Sequence, residues 1–270
     1  MDIATPLSDL TRRQITQLGL LLKDKSVRER EGAFVLEGAK FCHDVIRSNP
    51  NSLLSLVLSH RYLREEDSAG RTARSQLAAS QFSCSDAFFD KLSDVEAPQG
   101  MLAVVRIPQW DQDHLLGQSR VLAVYGERLR DPANVGGIIR TAAALNCTGL
   151  WLSADSADPF SPKAVRAAAG TVLALPIFRG ADAQVFVQRG CSVYSALLPS
   201  RNIIALHDIR QIPRRLVIAV GNEGDGLCNE TMGISAVKFA IPLSRGIESL
   251  NVAVTVAIAA FSLKDLPAAG

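Results

Sequence analysis

The sequence predicts an α/β protein in two parts, a larger C-terminal layer around a parallel sheet and a smaller N-terminal α/β layer. Three observations carry this expectation. Short apolar runs alternate with segments of helical period along the whole chain of 270 residues. In the second half those runs are mostly apolar, as in strands covered on both faces of a parallel sheet. Between the halves, IPQWDQDHLLGQS (107–119) combines Pro108, several polar residues and Gly117, and reads as a linker. The predicted division is 1–107, a linker over 108–119, and 120–270.

In chain order, Leu10, Ile15, Leu18, Leu21 and Leu22 fall at helical spacing, with Ser8 or Thr11 as cap. KDKSVRERE (23–31) is charged throughout, so it is either a solvated helix end or loop, or a surface that touches phosphates. AFVLEG (33–38) reads as a strand closed by glycine, and AKFCHDVIRSN as a helix with Phe41, Val45 and Ile46 on one face. LLSLVLS (53–59) and MLAVVRI (101–107) are further strands, and HRYLREEDSAGRTARSQLA is a polar helical stretch broken at Gly70. In the second half the predicted strands are 121–127, 149–153, 173–178, 191–198, 215–223 and 237–243. The predicted helices are 135–146, 163–169, 182–189 and 249–264. There is no repeat at a fixed period and no low-complexity segment.

Composition narrows the class without choosing a partner. Hydrophobic residues make up 47% and charged residues 21%, which suits a globular protein with a sizeable core. The net charge is +2, with 14 basic against 14 acidic residues up to position 110 and 15 against 13 beyond it, so any nucleic-acid surface has to be a local patch. The five cysteines, Cys42, Cys84, Cys147, Cys191 and Cys228, are scattered and odd in number, which suggests neither a disulfide framework nor a thiolate zinc site and fits a reducing cytoplasm. MDIATPLSDL lacks the basic and apolar regions of a signal peptide. The longest apolar run, Val252 to Phe261, is about half of the roughly 20 residues that span a bilayer, and is expected to be a core helix.

Ligands of open α/β sheets bind beyond the carboxyl ends of the strands. Three loops at those ends are unusually polar. In YGERLRDPANVGGIIRTAAAL, Asn134 is expected to open a helix whose early glycines, Gly136 and Gly137, allow close approach of the backbone to a neighbour. That helix start offers N–H groups to an anion. Arg140 follows Asn134 by six positions, about 1.7 turns, so the two need not share a face. GNEGDGL (221–227) surrounds Asn222, Glu223 and Asp225 with glycines; without the lysine and hydroxyl of a phosphate loop, it suits an amine, a ribose hydroxyl or a cation. IPLSRGIESLN sets Arg245, Glu248, Ser249 and Asn251 against the apolar helix. One cap explains one of these residues; burying all four without partners costs free energy, so the loop reads as the wall of a site.

Taken together, NVGGIIR (134–140), AVGNEGDGL (219–227) and IPLSRGIESLNVAV (241–254) resemble the three ordered motifs of the SpoU (TrmH-like) family of RNA ribose 2′-O-methyltransferases within the SPOUT superfamily. ESLNV is the most distinctive part. RERE followed by GAFVLEG (28–38) and KLSDVEAPQGMLAVV (91–105) resemble the small α/β substrate-binding domain of many members, a domain similar to a ribosomal RNA-binding protein.

The resemblance implies a C-terminal trefoil-knot domain, a homodimer with the pocket beside the partner subunit, and S-adenosyl-L-methionine as cofactor. It places that cofactor at Gly221, Glu223, Ile241, Leu243, Ser249, Leu250 and Asn251, and the catalytic group at Arg140, with Asn134, Glu223, Ser249 and Asn251 orienting it. RNA contacts would come from Lys23, Lys25, Arg28, Arg30 and Arg245, and the substrate is RNA, with ribosomal RNA favoured over transfer RNA. No metal and no membrane are expected; His43, His60, His114 and His207 form no ligand pattern.

A guanidinium with a pKa above about 12 is a poor base, so Arg140 is expected to act as an electrostatic clamp on the developing alkoxide and adjacent phosphate. A non-catalytic RNA-binding or ribosome-assembly protein, a base methyltransferase and a transfer-RNA ribose methyltransferase are the competing readings.

Overall fold

The computed structural model describes residues 7–93, 95–200 and 203–268; residues 1–6, part of the stretch read for a leader, lie outside the described residues. The chain divides into two compact units, Met1–Pro108 with Phe160–Arg166, and Gln109–Pro159 with Ala167–Gly270.

The first unit runs β1 (Ser8–Asp9), α1 (Arg12–Lys23), α2 (Lys25–Glu31), β2 (Ala33–Glu37), α3 (Ala39–Ser48), β3 (Leu53–Ser59), α4 (His60–Glu65), α5 (Ser68–Ser75), β4 (Ser80–Cys84), α6 (Asp86–Leu92) and β5 (Met101–Arg106). Its sheet has the order β1-β4-β3-β5-β2, with β3 parallel to β4 and β5 antiparallel to both β3 and β2. Thr11 closes a capping box with Gln14 at the start of α1. The charged run is helical: Asp24 caps α2 by accepting from the Ser26 N–H at 2.8 Å, and Gly32 ends it in the left-handed conformation. The break in the polar segment falls at Glu66–Asp67 and not at Gly70, because the Asp67 carboxylate accepts from the Gly70 N–H at 2.6 Å and starts a new helix there. Glu66 is buried beneath it against Arg74, with paired bonds of 2.9 and 2.8 Å. Phe160–Arg166 completes this unit: the Phe160 ring lies 5.2 Å from that of Phe34, and Arg166 stands 3.8 Å from Glu37.

The second unit continues with α7 (Gln112–Leu116), β6 (Val121–Glu127), α8 (Pro132–Ala144), β7 (Gly149–Leu152), α9 (Pro162–Ala167, largely counted in the first unit), β8 (Ile177–Arg179), α10 (Gln184–Gln188), β9 (Ser192–Ala196), β10 (Ile204–Ala205), β11 (Arg215–Gly221), α11 (Asn229–Gly233), β12 (Ser235–Ala240) and α12 (Val252–Leu263). The stretch expected as a linker therefore carries α7, whose Leu116 is buried in the core of this unit. Seven strands form one parallel sheet in the order β10-β12-β9-β11-β6-β7-β8. On one face, Trp151 stacks on Phe178 at 4.7 Å and meets Phe186 edge-on at 5.7 Å.

Of the six strands predicted in the second half only 121–127 keeps its full length, and two of the others are cut back beside a proline. Residues 171–173 form a 3₁₀ turn before Pro176, and β8 starts only at Ile177. The run expected to reach 243 ends as a strand at Ala240, just ahead of Pro242, which has no N–H to give a ladder.

The apolar helix differs from expectation in a way that matters. Val256, Ala259, Ala260 and Leu263 of α12 are buried, and the helix packs on α8 and β11. However, Val254 and Phe261 are 45% and 66% exposed. A helix apolar all round normally has every face covered, so the reading as a plain core helix is corrected: one face is open. Among the described residues no helix is long and apolar enough to cross a membrane.

Candidate functional site

The site is assembled at the carboxyl ends of β6, β11 and β12. Asp131, not Asn134, caps α8: its carboxylate accepts from the Ala133 N–H at 3.0 Å, and Pro132 takes the first helical position. The expected anion site at this helix start is thereby corrected, because the chain supplies its own carboxylate there. Asn134 sits within the first turn and faces across to the other two loops. Its Nδ2 donates to Glu223 Oε1, and its Oδ1 accepts from Asn251 Nδ2 at 2.8 Å. Asn251 Oδ1 in turn accepts from the backbone N–H groups of Ala253 and Val254 at 2.9 and 3.4 Å, so Asn251, rather than Ser249, caps α12.

These bonds all point one way. Helix N–H groups fix the Asn251 amide, Asn251 fixes Asn134, and Asn134 presents its remaining donor to the Glu223 carboxylate. Each amide is locked in one orientation by its neighbours. Gly137, one turn beyond Asn134, gives α12 its close approach: a Cβ there would lie 3.1 Å from Ala253 Cβ.

After β11 the chain turns back on itself. Asn222 Oδ1 accepts from the N–H groups of Gly224 and Asp225 at 2.6 and 3.2 Å, and Asn222 O accepts from Gly226 N at 3.0 Å. This folded loop closes one side of a cavity of about 290 Å³. Gly221, Glu223, Ile241, Leu243, Ser249 and Leu250 all line it, along with Asp225, Glu248, Leu197 and Leu198. Apolar walls beside three carboxylates and the backbone of a glycine loop suit an uncharged ring attached to a cation, and disfavour a phosphate. A second cavity of about 60 Å³ is lined by Asn134, Asn222, Glu223 and Val252.

Other expected residues are not gathered here. Arg140 is exposed on α8, and among the described residues no hydrogen bond or ion pair joins its guanidinium to Asn134, Glu223, Ser249 or Asn251. Arg245 is exposed at the tip of a turn in which it and Gly246 both have positive φ and the Ile247 N–H meets Ser244 O at 3.3 Å. In the first unit Lys23, Lys25 and Arg30 are exposed, with Arg30 3.2 Å from Glu31. Arg28 is a correction: it is only 3% exposed and donates to Leu21 O at 2.6 Å, where it satisfies a carbonyl at the end of α1. Its side chain belongs to the fold and not to an RNA-facing surface.

Two charged residues at the end of β6 escape the sequence reading. Glu127 is 4% exposed and accepts from the Cys228 N–H at 2.7 Å and from the Thr231 hydroxyl. Arg128 donates to Gly226 O at 3.1 Å. The available signal was two consecutive charges ending an otherwise apolar strand. Cysteine chemistry has little support: burial pushes the Cys84 thiol up to about 11 and that of Cys147 to about 12, and raises Cys42 and Cys191 as well, so these four stay protonated at neutral pH. Among the described residues no group of three or more His, Cys, Asp or Glu is placed to hold a metal ion.

Residues 121–261 match the family model described as the SpoU rRNA Methylase family, and residues 13–103 match an MRM3-like substrate binding domain. An uncharacterized tRNA/rRNA methyltransferase of Synechocystis is 32% identical over 181 residues, covering 62% of this chain and 61% of that protein. The 23S rRNA (guanosine(2553)-2′-O)-methyltransferase of Bacillus subtilis is 26% identical over 246 residues, covering 90% and 93%. A crystal structure of an rRNA methyltransferase from Sinorhizobium meliloti superposes with a TM-score of 0.77 at 26% identity, covering 95% of each chain. The chain spans 45% to 61% of the length of the first curated relatives that it matches.

Proposed function

The chain belongs to the SpoU rRNA methylase family, and from that premise we propose that it transfers a methyl group from S-adenosyl-L-methionine to a ribose 2′-hydroxyl of RNA, with ribosomal RNA as the substrate. The observation that carries the proposal is the chain of amides from Asn251 through Asn134 to Glu223 beside the glycine-loop cavity.

When bound, S-adenosyl-L-methionine would supply an electrophilic methyl on a sulfonium for transfer to the ribose oxygen, the electron pair of the broken C–S bond staying with the sulfur. Gly221, Ile241 and Leu250 would hold the donor, with Glu223, Leu243 and Ser249 around it and Asn251 outside the cavity lining; the carboxylates of the loop would favour its positive charge. Asn134 and Asn251 hold the site in one hydrogen-bonded arrangement, so that alignment is established before the reaction. Arg140 stabilises the alkoxide as the hydroxyl proton passes to a phosphate oxygen or water. Lys23, Lys25, Arg30 and Arg245 are exposed cations suited to the RNA backbone.

The expected division of labour, with an RNA-binding part over 1–107 and a catalytic part over 120–270, belongs to the same reading. So does a trefoil knot, which is supported by the last strand, β12, lying between β9 and β10 instead of at a sheet edge. The five cysteines are all free, in keeping with a cytoplasmic setting.

The test is incubation of the protein with S-adenosyl-L-methionine labelled in its methyl group and RNA from cells lacking this protein, followed by digestion to nucleosides. Label in a 2′-O-methylated nucleoside of ribosomal RNA is the expected result. Label in a base, in transfer RNA alone, or in nothing defeats the proposal.

The open face of α12 supports a homodimer, with the pocket beside the partner subunit. Phe261→Asp is expected to weaken dimerisation about 100-fold or more, since a symmetric interface loses two buried rings and gains two charges. Sedimentation velocity checks this: the wild type should run near twice 29.0 kDa and the variant near the single-chain mass. A wild type that stays monomeric at high concentration refutes the dimer.

A further inference from the structure

We infer that Arg128 is a positioning residue that latches the cofactor loop in its binding shape. The inference rests on the reading of the adjoining cavity as the S-adenosyl-L-methionine site. Arg128 has a backbone φ of 55°, a conformation that L-residues other than Asn and Asp adopt at a cost and glycine adopts freely. The surroundings impose that conformation: the Arg128 N–H donates to Ser153 Oγ at 2.8 Å, and the next N–H, of Leu129, donates to Ser156 Oγ at 3.2 Å. If the position served only to turn the chain, glycine would fit with less strain. The arginine side chain therefore has to supply what the strain opposes.

What it supplies is a grip on the loop. The guanidinium donates to the carbonyl of Gly226, which has φ 66° and lines the cavity. Its Nε is buried, 3.4 Å from Glu127 Oε1 and out of hydrogen-bond alignment, so the charge is drawn toward Glu127 while the terminal nitrogen stays free for the loop. Glu127 holds the following turn through the Cys228 N–H and the Thr231 hydroxyl. Two consecutive residues at the end of β6 thus fix positions 226, 228 and 231. Besides its own short-range bonds, the segment 222–226 is also held from outside, among the described residues, by the Asn134–Glu223 side-chain bond and the exposed Arg130–Asp225 pair at 3.4 Å. The solvated pair contributes little, and Asn134 holds the loop through the Glu223 side chain, so Arg128 is the tie on the loop's own backbone, at Gly226.

The test compares wild type, Arg128→Gly and Arg128→Lys in the full chain. Glycine removes the side chain and relieves the backbone, so the melting temperature should not fall. In the absence of cofactor, amide hydrogen exchange at 224–226 should accelerate about tenfold or more in Arg128→Gly. The dissociation constant for S-adenosyl-L-methionine, measured by calorimetry, should rise about tenfold, equivalent to about 1.4 kcal/mol. At saturating cofactor kcat should stay within about twofold, and Arg128→Lys should restore part of the affinity. Unchanged exchange in Arg128→Gly overturns the latch, and faster exchange with unchanged affinity overturns its role in cofactor binding. A wild type that binds no S-adenosyl-L-methionine defeats the functional reading instead, and the exchange measurement still decides the latch.

Discussion

Arg140→Ala is expected to lower kcat for the proposed RNA methylation about 1,000-fold and to leave the dissociation constant for S-adenosyl-L-methionine within about twofold of wild type. On the proposed reading Arg140 is the cationic donor to a developing oxyanion, and removing such a donor typically costs a factor of about 100 to 1,000. Cofactor affinity is spared because Arg140 does not line the cavity at the glycine loop. Stability is spared too: the side chain is exposed, and alanine is the best helix former. The variant therefore separates a catalytic effect from a folding one.

Arg140→Lys distinguishes clamp from base. A lysine retains the positive charge, so a clamp keeps partial activity with a pH profile like that of wild type. A base of much lower pKa than arginine would instead shift the profile by several units. Single-turnover rates from about pH 6 to 10, with binding measured in parallel, settle the matter. Undiminished turnover in Arg140→Ala removes this residue from the mechanism.

Gly221→Ala should abolish cofactor binding, with a loss of affinity of about 100-fold or more. A Cβ on residue 221 would stand 2.1 Å from the carbonyl carbon of Gly226, 2.2 Å from its oxygen and 2.5 Å from the nitrogen of Leu227. All three are backbone atoms, so no side-chain rotation makes room and the loop has to open. The bridge between Asn222 and Gly226 is lost with it, and so is the wall that Glu223 and Asp225 give the cavity. The demand at Gly221 is for space. At Gly226 it is for conformation, since nothing lies within 4 Å of a Cβ there and φ is 66°. Overpacking of this kind costs about 1–3 kcal/mol of stability, so the sheet, with β11 paired to both β6 and β9, should survive. Calorimetric titration with S-adenosyl-L-methionine and a thermal melt give the two readouts. Affinity within twofold of wild type would show that the loop is not the binding element.

Much of this architecture is legible in the sequence because it is local. LLSLVLS becomes β3 residue for residue, and Val121 to Glu127 becomes β6. Short or polar elements are not legible in this way. Ser80–Cys84 carries little β-branched or apolar character and becomes a strand by pairing with β3 and β1, and two-residue strands such as β10 have no period to detect. Capping is only half legible: Asp131, Asn134, Ser249 and Asn251 are all acceptable caps, and tertiary contacts choose Asp131 and Asn251.

The sequence by itself determined the order of the longer apolar strands and helices, the three polar loops that follow buried strands, and the kind of ligand those loops suit, since each depends on residues near one another in the chain. Only the tertiary structure decided that Arg28 turns inward, that α12 leaves Val254 and Phe261 uncovered, and that Glu127 and Arg128 grip the loop beyond β11. It also decided that Asn134 meets Glu223 and Asn251, 89 and 117 positions away. Side-chain contacts at such separations depend on how the sheet twists and which faces pack, and no local period encodes that geometry.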